Sequence, residues 1–183
     1  MAALHYIVST LLSLYVGVYL VRFLMQLVRA DFRNQAAEAI LSLTNPIIMP
    51  LRKILPPMGK IDTATVVAVI LLTAAKVALL RVLASLPLPT PVGWLYALTV
   101  DIAVSLLWVM FWCIIFSALI GFLTQGARTP VTGLLHSITE PVLRPIRRYI
   151  PSFVGGFDLS YLWATIAIQA LIILITTSLP ARI

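Results

Sequence analysis

Charge is what this sequence has least of. Only 10% of its 183 residues are charged, and six are acidic, where a soluble domain carries about 25% charged residues. The remainder is 61% hydrophobic with a mean hydropathy of +1.06. A chain this small cannot cover so much apolar material with polar surface. That excludes an ordinary cytosolic enzyme and a disordered chain. The single cysteine, Cys113, excludes an intrachain disulfide and so a disulfide-stapled secreted module. The two histidines, His5 and His136, do not have metal-ligand spacing. No H-E-x-x-H, G-x-S-x-G, P-loop or dinucleotide fingerprint occurs. Enzymatic chemistry, a metal and a cofactor are therefore not expected.

What the sequence does have is long apolar runs. Four are long enough to cross a bilayer as helices, at about 20 residues each: residues 4–28, 63–83, 94–123 and 159–179. The expected fold class is all-α membrane protein with four transmembrane helices. The first run reads as a span rather than a signal peptide. It lacks a basic lead, is too long, and Val28-Arg29-Ala30 is not a small-residue cleavage site. Trp94 and Tyr96 stand where an interfacial aromatic anchor belongs.

The charges are unevenly placed. Arg29, Arg33, Arg52, Lys53 and Lys60 lie between runs one and two, and Arg128, Arg144, Arg147 and Arg148 between runs three and four. These nine of the 13 basic residues occupy two loops on one side. The positive-inside rule makes that side cytoplasmic and places both termini outside. The net charge of +7 thus follows topology, and no nucleic-acid partner is expected.

An internal repeat organises the chain. Thr44, Pro46, Pro50, Arg52 and Pro56 recur 95 positions later as Thr139, Pro141, Pro145, Arg147 and Pro151. After one inserted residue, Gly59 and Asp62 recur as Gly155 and Asp158. Seven of 19 positions are identical, where composition predicts about one or two. Lys53 matches Arg148 in kind. The reading is two parallel span–segment–span repeats, residues 1–88 and 89–183, with basic segments at 29–62 and 124–158. Parallel copies differ from the inverted repeats of many transporters.

Proline suits a first helical position, so Thr44 or Asn45, and Thr139, read as N-caps of short helices that begin near Pro46 and Pro141. Pro56 and Pro151 would stop them. Ile47, Ile48, Leu51, Ile54 and Leu55 form one apolar face, repeated as Val142, Leu143, Ile146, Tyr149 and Ile150. The basic residues lie off it, which suits an amphipathic helix in the interface. Two readings stay open: the charges fix topology, or they bind anionic lipid head groups or a partner. Gly59 and Gly155 suit turns with positive φ. Asp62 and Asp158 read as N-caps of the following spans, with an ion-binding aspartate pair as the sharper alternative.

The doubled T-x-P-x-x-x-P-x-R-[RK]-x-x-P-x-x-G-x-x-D resembles the signature of the YggT family of small membrane proteins, which includes the YlmG proteins of Gram-positive bacteria and plastid relatives. Arg22, Asp31, Phe32 and Asn34 resemble the family's lead-in to the first copy. Gln35 stands where a proline is usual. The second copy has Thr129-Pro130 there, with Ser117 opposite Arg22. The resemblance implies no established enzymatic activity. It implies links to osmotic or envelope stress and cell division in bacteria, and to nucleoid distribution and cytochrome maturation in plastids. A non-enzymatic scaffold or assembly factor, with a membrane-protein partner or a second copy, is the first expectation. A small oligomeric ion or osmolyte transporter is the second.

Ionisable residues inside spans are functional candidates. Lys76 and Asp101 sit at similar depth in spans two and three, which form an antiparallel hairpin, so they are expected to pair, with Arg81 as the competing cation. Arg22, near the cytoplasmic end of span one, is expected to snorkel or to bond Gln26. Ser117 and Gly121 suggest close helix packing, and Gln169 an interhelical hydrogen bond.

Overall fold

With no water in hydrocarbon to pair them, backbone amides and carbonyls must find partners within the segment, and long apolar runs accordingly become helices. The computed structural model describes residues 2–32, 34–56, 62–124, 129–149, 153–154 and 157–178. Six helices follow one another: α1 (Ala2–Leu27), α2 (Gln35–Ile54), α3 (Thr63–Leu83), α4 (Pro91–Leu123), α5 (Pro130–Tyr149) and α6 (Ser160–Thr177). Before α6, Phe153–Val154 (β1) pairs antiparallel with Phe157–Asp158 (β2), a short hairpin with no counterpart among the sequence expectations. Four helices are long and apolar enough to cross a membrane, over Ala3–Leu27, Thr63–Leu83, Pro91–Leu123 and Ser160–Thr177. Their ends lie close to those the apolar runs suggest.

Local chemistry sets several ends. Thr90 caps α4 by accepting a hydrogen bond from the Gly93 amide, with Pro91 at the first helical position. Both α1 and α3 close with a left-handed residue, Arg29 at φ 53° and Ser85 at φ 55°. The amides of Ala30 and Leu86 reach back five residues, to the carbonyls of Met25 and Arg81.

The two amphipathic helices differ from expectation. Each runs 20 residues, and the prolines lie inside: Pro46 and Pro50 in α2, Pro141 and Pro145 in α5. Thr44, Asn45 and Thr139 are therefore not caps. The cap of α2 is Asn34, whose side chain accepts from the Ala37 amide. At α5, Thr129 and Thr132 cap each other reciprocally through hydroxyl and amide. Prolines four apart remove two amides from one side of a helix, and the rest of the ladder survives because the helix is capped upstream and packed. The Thr44 and Thr139 hydroxyls donate back to the Ile40 and Leu135 carbonyls, an arrangement that bends helices. Leu55 is extended, as a residue before proline should be, so Pro56 follows the end of α2. Pro151, Gly59 and Gly155 lie outside the described residues, as do Arg33, Lys60, Arg128 and Arg182.

Packing divides into two clusters. Ile48 of α2 sits with Val16, Tyr19 and Leu20 of α1 and Ala64, Ala68 and Val69 of α3. Leu143 of α5 sits with Met110, Cys113 and Ile114 of α4 and Ala164, Ile168 and Ile172 of α6. Helix α1 lies against α4, and α2 against α5. The apolar faces of α2 and α5 turn their central parts inward, whereas Ile54 and Tyr149 are exposed. Gly121 meets no neighbour, so the Ser117–Gly121 pair is not a close-packing motif; a Cβ at Gly17 would lie in ordinary contact with Val109 of α4, at 3.6 Å. Gln169, half-buried, has no hydrogen bond to another described residue.

Candidate functional site

The repeated motif folds onto itself. Arg52, in the last turn of α2, donates through Nε to Asp62 Oδ2 at 3.1 Å and also through Nη2. Arg147, in the last turn of α5, donates through Nε to Asp158 Oδ2 at 2.9 Å, and its Nη2 stands 2.8 Å from the same oxygen. In each case an arginine ending an amphipathic helix grips an aspartate that opens the next span. Both pairs join motif residues that recur identically 95 or 96 positions later. Asp62 is not the side-chain cap expected of it, whereas Asp158 does accept an amide of the first turn of α6. Asp62 makes no side-chain cap bond, though its carbonyl receives the Thr65 and Val66 amides. Asp158 accepts the Ser160 amide through Oδ1 while Oδ2 serves Arg147. They act as counter-ions that fasten α2 to α3 and α5 to α6.

The two latches have different surroundings. Around the first, Gln26 donates to Thr65 Oγ1 at 3.2 Å and approaches Asp62 Oδ2 at 3.4 Å, and Thr65 donates to Asp62 at 2.9 Å. Arg22, one turn earlier on α1, is 1% exposed. It donates to Thr44 Oγ1 and, at 2.9 Å, to Asn45 Oδ1. It neither snorkels nor bonds Gln26; it ties α1 to the middle of α2. Around the second latch, Arg147 also donates to Glu140 Oε2 at 3.0 Å and to Ser160 Oγ at 3.2 Å, and lies over the Tyr161 ring. The partners differ between the two halves. Where α1 carries Arg22, α2 offers neutral Asn45; where α4 carries Ser117, α5 offers Glu140, which turns to Arg147.

Electrostatics favour both latches in their charged form. Burial alone would push the Asp62 carboxyl up. Hydrogen bonds from Arg52 and Thr65, with the Arg52 and Arg22 charges, outweigh it and hold the carboxyl below the ordinary carboxylate range. For Asp158 burial again opposes, and the Ser160 hydrogen bonds with the Arg147 charge again win. Burial would lower the Arg147 guanidinium, but the Asp158 and Glu140 charges lift it above its usual value.

The other basic residues of the motif are placed differently. Lys53, Arg144 and Arg148 are exposed, and none meets a carboxylate among the described residues. Within the spans, Lys76 Nζ stands 2.6 Å from Asp101 Oδ2. Arg81, the competitor, instead donates to the Pro87 carbonyl at 3.0 Å. Among the described residues no cluster of His, Cys, Asp or Glu is arranged to hold a metal.

Sequence reasoning missed the latches because Arg52 and Asp62 lie 10 positions apart, and Arg147 and Asp158 lie 11 apart, each pair across the end of a helix. The available signal was that an arginine and an aspartate, opposite in charge, stand in both occurrences of the motif.

Six helices, four of them long and apolar enough to span a bilayer, with two amphipathic helices latched beside them, define a multi-pass helical membrane protein. The chain belongs to the CCB3/YggT family, whose model matches residues 1–83 and again 95–179. An uncharacterised protein from the region 3′ of proC in Vibrio alginolyticus is 35% identical over 92% of this chain and 91% of its own length. The uncharacterised YggT protein of Escherichia coli K12 is 36% identical over 87% of this chain and 82% of its own. An uncharacterised protein of Pseudomonas aeruginosa is 36% identical over 96% and 89%. No solved structure matches.

Proposed function

We propose that the protein is a non-enzymatic scaffold of the bacterial inner membrane, an assembly or envelope-stress factor that presents α2 and α5 as one basic platform. In this reading residues 1–88 and 89–183 are parallel repeats related by a pseudo-twofold along the membrane normal. The platform faces the cytoplasm, and both termini lie in the periplasm. One observation carries the reading. Each amphipathic helix is fastened to its following span by an arginine–aspartate latch, and α2 lies against α5. The latches take Arg52 and Arg147 out of service as lipid ligands and leave Lys53, Arg144 and Arg148 as the outward charges. Each such charge near an anionic surface contributes about 1 kcal/mol, so three give about 3 kcal/mol, roughly a hundredfold in affinity. The platform thus engages anionic head groups, and a membrane-protein partner docks against it. The second family-model match, starting at residue 95, supports the two-copy reading.

The test is co-purification of the full chain from membranes. The wild type is expected to retain a partner that Arg144→Glu/Arg148→Glu loses while remaining folded. Retention of the same partner set by a folded variant would count against the platform.

A transporter of ions or osmolytes built from several copies is favoured by one observation, the Lys76–Asp101 pair in the wall of an open groove. Passage of an ion or osmolyte by purified protein in liposomes would establish it in place of the scaffold.

A further inference from the structure

Between α1 and α4, with Lys76 of α3 in its wall, runs a groove of about 800 Å³. That volume falls in the range of small-ligand sites, which are mostly apolar with a few fixed polar groups. Its polar groups gather at one end: Lys76, Asp101, Ser9, Ser13 and Ser105. Towards the other end the walls are Val18, Val21, Val109 and Trp112. From Asp101 to Trp112 the groove follows α4 for about 16 Å at 1.5 Å per residue. It opens sideways, because Leu14 and Trp112, both in the interior of their spans, are exposed. A sideways opening in the middle of a span faces lipid.

The polar end has a definite chemistry. Lys76 is 4% exposed, and its ammonium has three donors. Asp101 Oδ2 is its one ionic partner among the described residues. Lys76 and Asp101 are also the only described charges lining the groove, so the site is neutral overall yet offers donors beside acceptors. A head group with net charge would gain from one member and lose to the other in a low-dielectric setting. A neutral head carrying both hydroxyl and carbonyl would satisfy both.

We propose that this groove binds a neutral membrane amphiphile of the acylglycerol class, its ester carbonyl accepting from Lys76, its hydroxyl donating to Asp101 and its chain along Val109 and Trp112. The site is separate from the basic platform, and its failure would leave the scaffold reading untouched.

The test uses the full chain in detergent micelles, with Trp94→Phe and Trp163→Phe so that Trp108 and Trp112 report. The probes are a 1-acylglycerol, a fatty acid and a long-chain amine, each with a dibrominated chain as quencher. The acylglycerol is expected to quench saturably, at a mole fraction about tenfold below the ionised acid and the amine. Lys76→Met is expected to abolish that preference. Should it not fold, Ser105→Leu, which fills the polar end and leaves both charges in place, is expected to do the same. Quenching linear in mole fraction, equal for the three heads, or unchanged by Ser105→Leu would overturn the proposal. So would a groove shielded from all three probes in a dimeric protein.

Discussion

Replacing Arg147 by methionine isolates what one latch contributes. The substitution keeps most of the aliphatic stem and removes a guanidinium that donates to Asp158, Glu140 and Ser160. Two carboxylates then lose their cation while staying partly buried. Breaking a fully buried pair costs about 3–5 kcal/mol, and an exposed pair contributes about 0–1 kcal/mol. The Arg147 side chain is 25% exposed and Asp158 is 16% exposed, so Arg147→Met should cost about 2 kcal/mol. Arg52 has one carboxylate and is 42% exposed, so solvent screening should hold Arg52→Met to about 1 kcal/mol. The assay is loss of helicity against SDS mole fraction in mixed micelles. In a double-mutant cycle with Asp158→Asn, the second change should cost little once Arg147 is gone. Additive costs in that cycle, or a larger cost at Arg52 than at Arg147, would refute the reasoning.

Acid should loosen both latches together. Asp62 and Asp158 are held below their ordinary range when folded, so the unfolded chain binds protons first. The stability they contribute is full above about pH 5 and is lost as pH falls through about 4 and below. The unfolding midpoint of the wild type should drop there, and that of Asp62→Asn/Asp158→Asn should drop less. Ser85 holds a left-handed conformation at an exposed helix end, so Ser85→Gly should stabilise by about 1 kcal/mol, read as a raised unfolding midpoint. Arg22→Leu would leave Thr44 Oγ1 and Asn45 Oδ1 without their shared donor in a buried place and should cost about 2 kcal/mol, seen in the same titration.

The spans were legible in the sequence because length and apolarity alone determine them in a bilayer. The approach of Lys76 to Asp101 was legible for a related reason: two antiparallel spans joined by a short loop place residues equally far from that loop at equal depth. The true starts of α2 and α5 were not. Pro46 and Pro141 read locally as helix beginnings, and only an upstream cap at Asn34 or Thr129, together with packing of Ile48 and Leu143, lets a helix pass through them. Arg22 looked like a snorkelling residue because its depth was visible and its neighbours were not; Thr44 and Asn45 reach it only once α2 lies against α1. The latches were hidden for the same reason, since Arg52 meets Asp62 only in the folded chain and sequence spacing does not reveal such an approach. Treating the basic residues of the motif as one group, whether as topology charges or as lipid contacts, overlooked a division of labour: Arg52 and Arg147 bind aspartates, and Lys53, Arg144 and Arg148 are exposed.

That division gives the most direct test of the platform. Full-length protein would be placed in nanodiscs of mixed phosphatidylglycerol and phosphatidylethanolamine, and the anionic lipid retained by the protein quantified by native mass spectrometry. Lys53→Glu/Arg144→Glu/Arg148→Glu is expected to lower phosphatidylglycerol enrichment by at least about tenfold while the unfolding midpoint stays near that of the wild type. Enrichment that survives the triple reversal in a folded protein would contradict the account.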